Sequence, residues 1–161
     1  MASKEVLHKL KVTTYVAPIS ADTQAKMRAT NAIDSKNYEG NMFVLNLGVL
    51  AADIDWTFQL YDSDVSVSDA GAACGKADVI VAVSDNDSTV IGKVDTNRKL
   101  TLTAAADGGR CVMFAYIGSK RWIRLVGTSA GPKTGVMAIT AVQSRFRYQG
   151  RHGLHAAMTV A

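Results

Sequence analysis

The chain has 161 residues and a mass of 17.1 kDa, with 48% hydrophobic and 20% charged residues. This length suits one domain with a single core, and the composition excludes an intrinsically disordered chain, which would be rich in charge and poor in apolar residues. The formal net charge of +4 is a mild excess, and no run of four basic residues marks a dedicated nucleic-acid-binding segment.

The 161-residue sequence contains neither a recognisable secretory signal nor a membrane-spanning segment. The N-terminus lacks the apolar stretch of about 7–15 residues that a secretory signal requires, and no window reaches the ~20 apolar residues of a membrane-spanning helix. We therefore expect a protein without a membrane partner that is kept in a cytosol or assembled there into something larger. Cys74 and Cys111 are too few for a disulfide framework or a four-sulfur zinc site. This favours two free thiols over a disulfide formed after release from the cell.

In chain order, a basic, partly amphipathic N-terminal arm over residues 1–14 comes first. Residues 21–28, with Asp22 as a candidate cap, predict either two helical turns or a loop. Residues 42–47 are apolar on both faces, as are residues 78–83 and 111–117. Such strands are central in a sandwich, or have their outer face covered by a partner.

Between these segments the sequence alternates with a period of two. In residues 55–61, Trp56, Phe58 and Leu60 share one face opposite polar residues, which predicts a half-buried strand. Residues 98–104 alternate in the same way, with their leucines on one face.

The last two predicted strands carry arginine beside aromatic residues. In residues 121–127, isoleucine and leucine point inward, whereas Trp122 and Arg124 point outward. Residues 136–148 predict a long alternating strand. Its apolar face carries Val136, Ala138, Val142, Phe146 and Tyr148. Its other face carries Gln143, Arg145 and Arg147. Outward arginine and aromatic residues suit either nucleic acid or a protein interface, and we favour the protein interface.

Gly and Asp turn signals separate these segments. The pattern predicts an all-β protein, an antiparallel β-sandwich or jelly roll of about 7–9 strands. The sandwich domain is predicted over residues 15–148, between the N-terminal arm and a C-terminal tail over residues 149–161.

No catalytic or metal-binding constellation emerges. His152 and His155 flank Gly153 in the tail, without further ligands or a rigid frame. The closely spaced aspartates match no twelve-residue calcium loop, and the sequence contains neither a Gly-x-Ser-x-Gly elbow nor a phosphate-binding loop. We expect no enzyme activity and no cofactor.

Three segments carry a resemblance to a known group of proteins. They are residues 32–48 (AIDSKNYEGNMFVLNLG), residues 55–63 (DWTFQLYDS) and residues 118–126 (GSKRWIRLV). They resemble small structural proteins encoded among the head genes of tailed bacteriophages, with motifs of the type Ile-Asp…Tyr, Phe-x-Leu-x-Asp-Ser and Lys-Arg-Trp-Ile-Arg. The resemblance covers about residues 30–145, and this chain departs from the pattern after Ser63.

The resemblance implies a β-sandwich head decoration, or cement, subunit on the capsid surface of a virion assembled in the host cytoplasm. Its implied partners are the major capsid protein and further copies of itself, as a homo-dimer or homo-trimer. It implies no catalytic residues, and nucleic acid is not an expected partner. The candidate contact residues lie in the arm, on strand faces predicted to be exposed, and in the tail: Lys4, Leu7, Lys9, Leu10, Trp122, Arg124, Arg145, Arg147, Tyr148, Arg151, Leu154 and Met158.

Two alternatives stay open on the sequence. One is another virion part, such as a head-completion, tail-tube or tail-terminator subunit. The other is a carbohydrate- or nucleic-acid-binding β module, which would present an exposed aromatic platform around Trp122 or Tyr148 and a steep salt dependence of binding.

Overall fold

The computed structural model describes residues 10–19, 28–29, 31–50, 56–65, 71–83, 94–103, 107–128 and 135–146. These residues form eleven strands and no α-helix. Within them, no helix is long and apolar enough to cross a membrane. In chain order the strands are β1 (Leu10–Ile19), β2 (Arg28–Ala29), β3 (Ile33–Asp34), β4 (Tyr38–Leu50), β5 (Thr57–Ser63), β6 (Ala72–Ala73), β7 (Val79–Val83), β8 (Leu100–Thr101), β9 (Cys111–Tyr116), β10 (Trp122–Thr128) and β11 (Gly135–Phe146).

The strands build two antiparallel sheets. One sheet has five strands in the order β1-β11-β4-β9-β7, and the other has six, with β2-β10-β5-β6 in line, β3 beside β10 and β8 beside β5. Chain neighbours β4 and β5, β9 and β10, and β10 and β11 lie in opposite sheets, and the first and last strands pair with each other. This arrangement has the character of a jelly roll, and it confirms the predicted all-β sandwich.

The core lies between the two sheets. Trp56, Phe58 and Leu60 are at most 1% exposed, which confirms the predicted inner face of this strand. Trp56 and Phe58 stack with ring centroids 6.1 Å apart. Gly127 of β10 lies opposite Phe58, and a Cβ at this glycine would stand 2.5 Å from Phe58 Cε1, so the bulky ring requires glycine there.

The N-terminal boundary of the sandwich differs from the prediction. Residues 10–14, assigned to the arm from their lysine content, are the first half of β1 and pair with residues 140–144 of β11. The run of β-branched and aromatic residues from Val12 to Val16 explains this, because such residues fit a pleated sheet. Residues 1–9, 147–161 and most of the predicted helix or loop at 21–28 lie outside the described residues, and Arg28 belongs to β2.

In the long strand β11, the face that carries the polar residue Gln143 is the buried one. Met137, Ile139, Ala141 and Gln143 are at most 3% exposed, whereas Val142 on the opposite face is only half-buried. Gln143 fits inside because its Nε2 donates hydrogen bonds to Asn41 Oδ1, at 2.8 Å, and to the Asp34 carbonyl, at 3.0 Å. A buried amide is tolerated when its hydrogen bonds are made.

Candidate interaction surface

The outer face of the five-stranded sheet carries mainly apolar and no charged side chains across three cross-strand rows. One row crosses all five strands through consecutive cross-strand partners: Val12, Val142, Met42, Ala115 and Ile80. The next row runs through Thr140, Val44, Met113 and Ala82. A third row contains Ala138, Asn46 and Cys111. We call these twelve side chains the uncharged face.

The uncharged face contains no Asp, Glu, Lys or Arg, in a chain in which charged residues make up 20%. At its two ends, Val12 is 57% exposed and Ile80 is 52% exposed. The largest apolar patch of a domain is often a functional contact surface. The side chains of this face are suited to packing against another molecule, and the Cys111 thiol is the most nucleophilic group among the twelve.

Parts of the three segments that carry the phage-protein resemblance meet in the six-stranded sheet. The Ile-Asp motif of the first segment lies in β3, whereas the rest of that segment, from Tyr38 onward, belongs to β4 of the five-stranded sheet. Ile33 pairs with Ile123, and Asp34 pairs with Trp122, which itself pairs with Ser63 on the other side. The Ile-Asp motif and the other two segments thus meet at one end of the sandwich, on the adjacent strands β3, β10 and β5.

At this end, short polar contacts hold the turn between β9 and β10. Arg121 binds Asp34 through both carboxylate oxygens, with Nη2 at 2.7 Å from Oδ2 and Nε at 3.1 Å from Oδ1. These hydrogen bonds lower the pKa of Asp34. Ser35 Oγ lies 2.8 Å from the carbonyl oxygens of both Lys120 and Arg121, and donates to them. The turn is therefore a fixed structural element.

Asp62 and Asp64 belong to the same network. Tyr116 Oη donates to Asp62 Oδ2 at 2.9 Å and accepts the Lys120 backbone N–H at 2.8 Å. Burial, more than the nearby Asp62 carboxylate, raises the pKa of Tyr116. Asp64 forms a salt bridge with Lys120. Both carboxylates thus have protein partners, and the part of the chain that the structure describes holds no group of three or more His, Cys, Asp or Glu side chains suited to a metal.

Two of the predicted contact residues, Trp122 and Arg124, lie on the outer face of the six-stranded sheet. Trp122 is half-buried, with the Arg121 guanidinium 4.9 Å from its ring centroid. The prediction that Arg124 is exposed is wrong: it is 5% exposed, with its guanidinium 5.7 Å from the ring centroid of Tyr61, its direct cross-strand partner. Alternation assigns a side chain to a face, but it does not reveal what lies over that face.

The other predicted contact residues are only partly within the described region. Leu10 pairs with Ser144 in the five-stranded sheet, and Arg145 follows Ser144 in β11. The structure thus places two of the predicted residues on adjacent strands of one sheet and two on the other sheet. The remaining eight lie outside the described residues: Lys4, Leu7, Lys9, Arg147, Tyr148, Arg151, Leu154 and Met158.

The uncharged face is the feature that the residue-by-residue prediction missed. Its signal was present in the sequence, because residues 42–47 and 111–117 are apolar on both faces. Only the sheet order shows that their outer side chains form continuous rows with those of β1, β7 and β11.

Comparison with known proteins assigns no family. No family model and no curated protein matches the sequence. A chain from the disulfide-linked pili of Bacillus endospore appendages aligns with a TM-score of 0.43 and 12% identity, over 85% of this chain and 89% of that one. The SPBc2 prophage-derived protein YomS aligns with a TM-score of 0.42 and 9% identity, over 83% and 91%. Eiger TNF from S. frugiperda gives 0.43 and 7%, over 88% and 96%. These TM-scores and identities are too low to transfer a function.

Proposed function

We propose that this chain is a non-catalytic structural subunit of a tailed-bacteriophage head, a decoration protein that binds the outer surface of the capsid lattice and stabilises it. The observation that carries the proposal is the uncharged face, a surface suited to packing against another protein. The motif resemblance supports the major capsid protein as that partner.

The size of the uncharged face suits one part of a contact with the shell. Five strands about 4.8 Å apart and three rows that span five residues, rising about 3.4 Å each, cover roughly 20 by 14 Å, or on the order of 300 Å². Burying this area on both partners gives about 600 Å², below the ~1,000 Å² of a specific interface. Segments beyond the sheet, such as the predicted arm and tail, would then add to the contact.

The proposed mechanism is mass action. A subunit that binds the assembled lattice and not the free capsid protein lowers the free energy of the assembled state by RT ln(1 + [L]/Kd) at each site. Because the lattice repeats the site many times, modest binding at each position adds up to a large stabilisation of the shell.

A sugar- or nucleic-acid-binding module is less well supported. Such a module needs an aromatic ring open for stacking. The guanidinium of Arg121 lies over Trp122, and that of Arg124 lies over Tyr61. The described aromatic residues of this sheet face are thus already stacked with cations of the same chain.

The copy number of the protein in purified particles, relative to the major capsid protein, tests the proposal. Quantitative mass spectrometry should give a ratio near one or a simple fraction such as one third. A few copies per particle would assign the protein to the connector or tail, and its absence from particles would refute the virion role.

A matched pair of variants tests the surface. Val44→Lys places a charge at the centre of the uncharged face, and we expect it to weaken binding to heads that lack the protein by about tenfold or more, because an unpaired charge would be buried. Val65→Lys is the control, since Val65 is 62% exposed and lies outside the uncharged face. Equal binding by both folded variants would exclude the uncharged face as the contact.

A further inference from the structure

The two edges of the five-stranded sheet differ in how they are protected. Edge strand β1 carries Lys11 and Pro18, and its pairing with β11 is interrupted by two register shifts. These are features with which proteins prevent an edge from pairing with another chain. Strand β7, at the other edge, has the sequence Val-Ile-Val-Ala-Val, with no charge, no proline and a regular register against β9.

The backbone of β7 presents a defined set of hydrogen-bonding groups at this edge. The Ile117 N–H donates to the Asp78 carbonyl at 2.8 Å, in register with the β7–β9 ladder. In an antiparallel ladder, directly opposite residues alternate between pairs that exchange two backbone hydrogen bonds and pairs that exchange none. The backbone groups of Ile80 and Ala82 are therefore hydrogen-bonded to β9. The N–H and C=O groups of Val79, Val81 and Val83 point away from β9, and no other described strand pairs with them.

We infer that β7 pairs antiparallel with β7 of a second copy of this chain, about a two-fold axis through Val81. The strand is nearly palindromic around this residue, so the axis places Val79 opposite Val83 of the partner subunit and Val81 opposite its own copy. All three are bonded pairs, which gives six hydrogen bonds across the axis. A neutral edge also lets two chains of like net charge approach without repulsion at the contact.

Side-chain sizes fit this register. On the outer face, Ile80, which is 52% exposed, lies opposite Ala82 of the partner subunit, so a large side chain meets a small one at both equivalent positions. On the inner face, the valines extend the core across the junction. The two five-stranded sheets become one sheet of ten strands.

This dimer concerns the edge of the sheet and does not depend on the virion role. It would nevertheless place the uncharged faces of two copies on the same side of one continuous sheet, because directly opposite residues in a ladder share a face. The dimer would thereby double the apolar area offered to a repeating partner, which raises avidity.

Two double variants, each with charged residues at positions 80 and 82, test the register. Ile80→Lys with Ala82→Lys places lysines opposite each other at both positions, and we expect the dimer dissociation constant to rise by at least about 100-fold. Ile80→Lys with Ala82→Glu adds as many charges at the same sites but places opposite charges together, and we expect it to stay dimeric. Analytical ultracentrifugation measures the mass against the 17.1 kDa chain.

A wild-type protein that stays monomeric at high micromolar concentration would overturn the inference. So would a lysine–lysine variant that remains dimeric, or a lysine–glutamate variant as dissociated as the lysine–lysine one. Amide hydrogen exchange of the wild type provides a readout that needs no substitution. The amides of Val79, Val81 and Val83 should become protected as concentration rises, while those of Ile80 and Ala82 stay protected throughout. Fast exchange at the three valines at every concentration would also refute β7 pairing.

Discussion

The side-chain amide of Gln143 donates a hydrogen bond to Asn41 Oδ1 at 2.8 Å inside the sandwich, between residues 102 positions apart. Gln143 is 3% exposed and Asn41 is 6% exposed. The same Nε2 also donates to the Asp34 carbonyl in β3, at 3.0 Å, so this amide joins the five-stranded sheet to the six-stranded sheet. The pair thus fixes how the two sheets align at this end of the molecule.

Gln143→Leu should lower the free energy of unfolding by about 1–3 kcal/mol, because it leaves buried acceptors without their donor. The double variant Asn41→Leu/Gln143→Leu should cost less than the sum of the two single changes. Urea unfolding of all four proteins in a double-mutant cycle measures this coupling. Strictly additive effects would show that the hydrogen bond contributes nothing of its own.

Ser35→Ala should destabilise the turn between β9 and β10. The Ser35 hydroxyl has a single proton to share between the carbonyls of Lys120 and Arg121, so we expect a loss of about 1 kcal/mol. Ser119→Ala, at an exposed position of the same turn, is the control. Equal unfolding free energies for the two variants would contradict a structural role for Ser35.

Asp34 should make the stability of the fold sensitive to acid. Its hydrogen bonds with Arg121 lower its pKa below the ordinary 3.8. The stabilisation is therefore fully present above pH 3.8 and disappears as the pH falls through the lowered pKa of the folded state. The effect should be small, because the Arg121 side chain is 46% exposed and water screens the pair.

Asp34→Asn is the corresponding variant. Its unfolding free energy should lie below that of the wild type at neutral pH, and the gap should narrow as the pH falls below 3.8, the ordinary pKa of the carboxyl. Urea unfolding between neutral and acidic pH measures the gap. If the difference in unfolding free energy between the two proteins stays constant down to the lowest pH measured, the charge of the Asp34 carboxylate does not contribute to stability.

The two cysteines should differ in reactivity. Neither forms a disulfide in the described structure, and burial raises the pKa of each, more strongly for Cys74, where the Asp62 carboxylate adds to the effect. The thiolate is the reactive form, and Cys74 is only 5% exposed, whereas Cys111 is half-buried on the uncharged face. We expect a thiol reagent to modify Cys111 first and Cys74 only at the rate of unfolding. Peptide mapping of timed samples distinguishes the two sites, and faster modification of Cys74 would contradict the described burial.

Two N-terminal truncations separate binding from folding. Removal of residues 1–9 should weaken binding to the shell, because the arm is proposed to contact a neighbouring subunit. Removal of residues 1–14 also deletes the start of β1, so it should lower the melting temperature as well. Unchanged shell binding by the shorter truncation would remove the arm from the contact surface.

Local patterns predicted the strands well because the period of two is a property of neighbouring residues. The inner face of residues 55–61 follows directly from its alternation, and Trp56 is 1% exposed as that pattern requires. Residues 42–47 are central, as an apolar pattern on both faces predicts, since β4 is the third of five strands. Residues 78–83 have the same pattern but contribute the edge strand β7, because composition does not reveal whether a strand has one neighbour or two.

The sequence by itself determined the all-β class, most strands and much of the apolar core, since alternation and turn residues act over a few positions. The tertiary structure alone decided that Gln143 faces inward, that Arg124 is covered, and that side chains of five strands join into one uncharged face. Each of these depends on residues that lie far apart in the chain and meet only through the order and register of the strands. Burial and the continuity of a surface are set by those distant neighbours, and no local pattern encodes them.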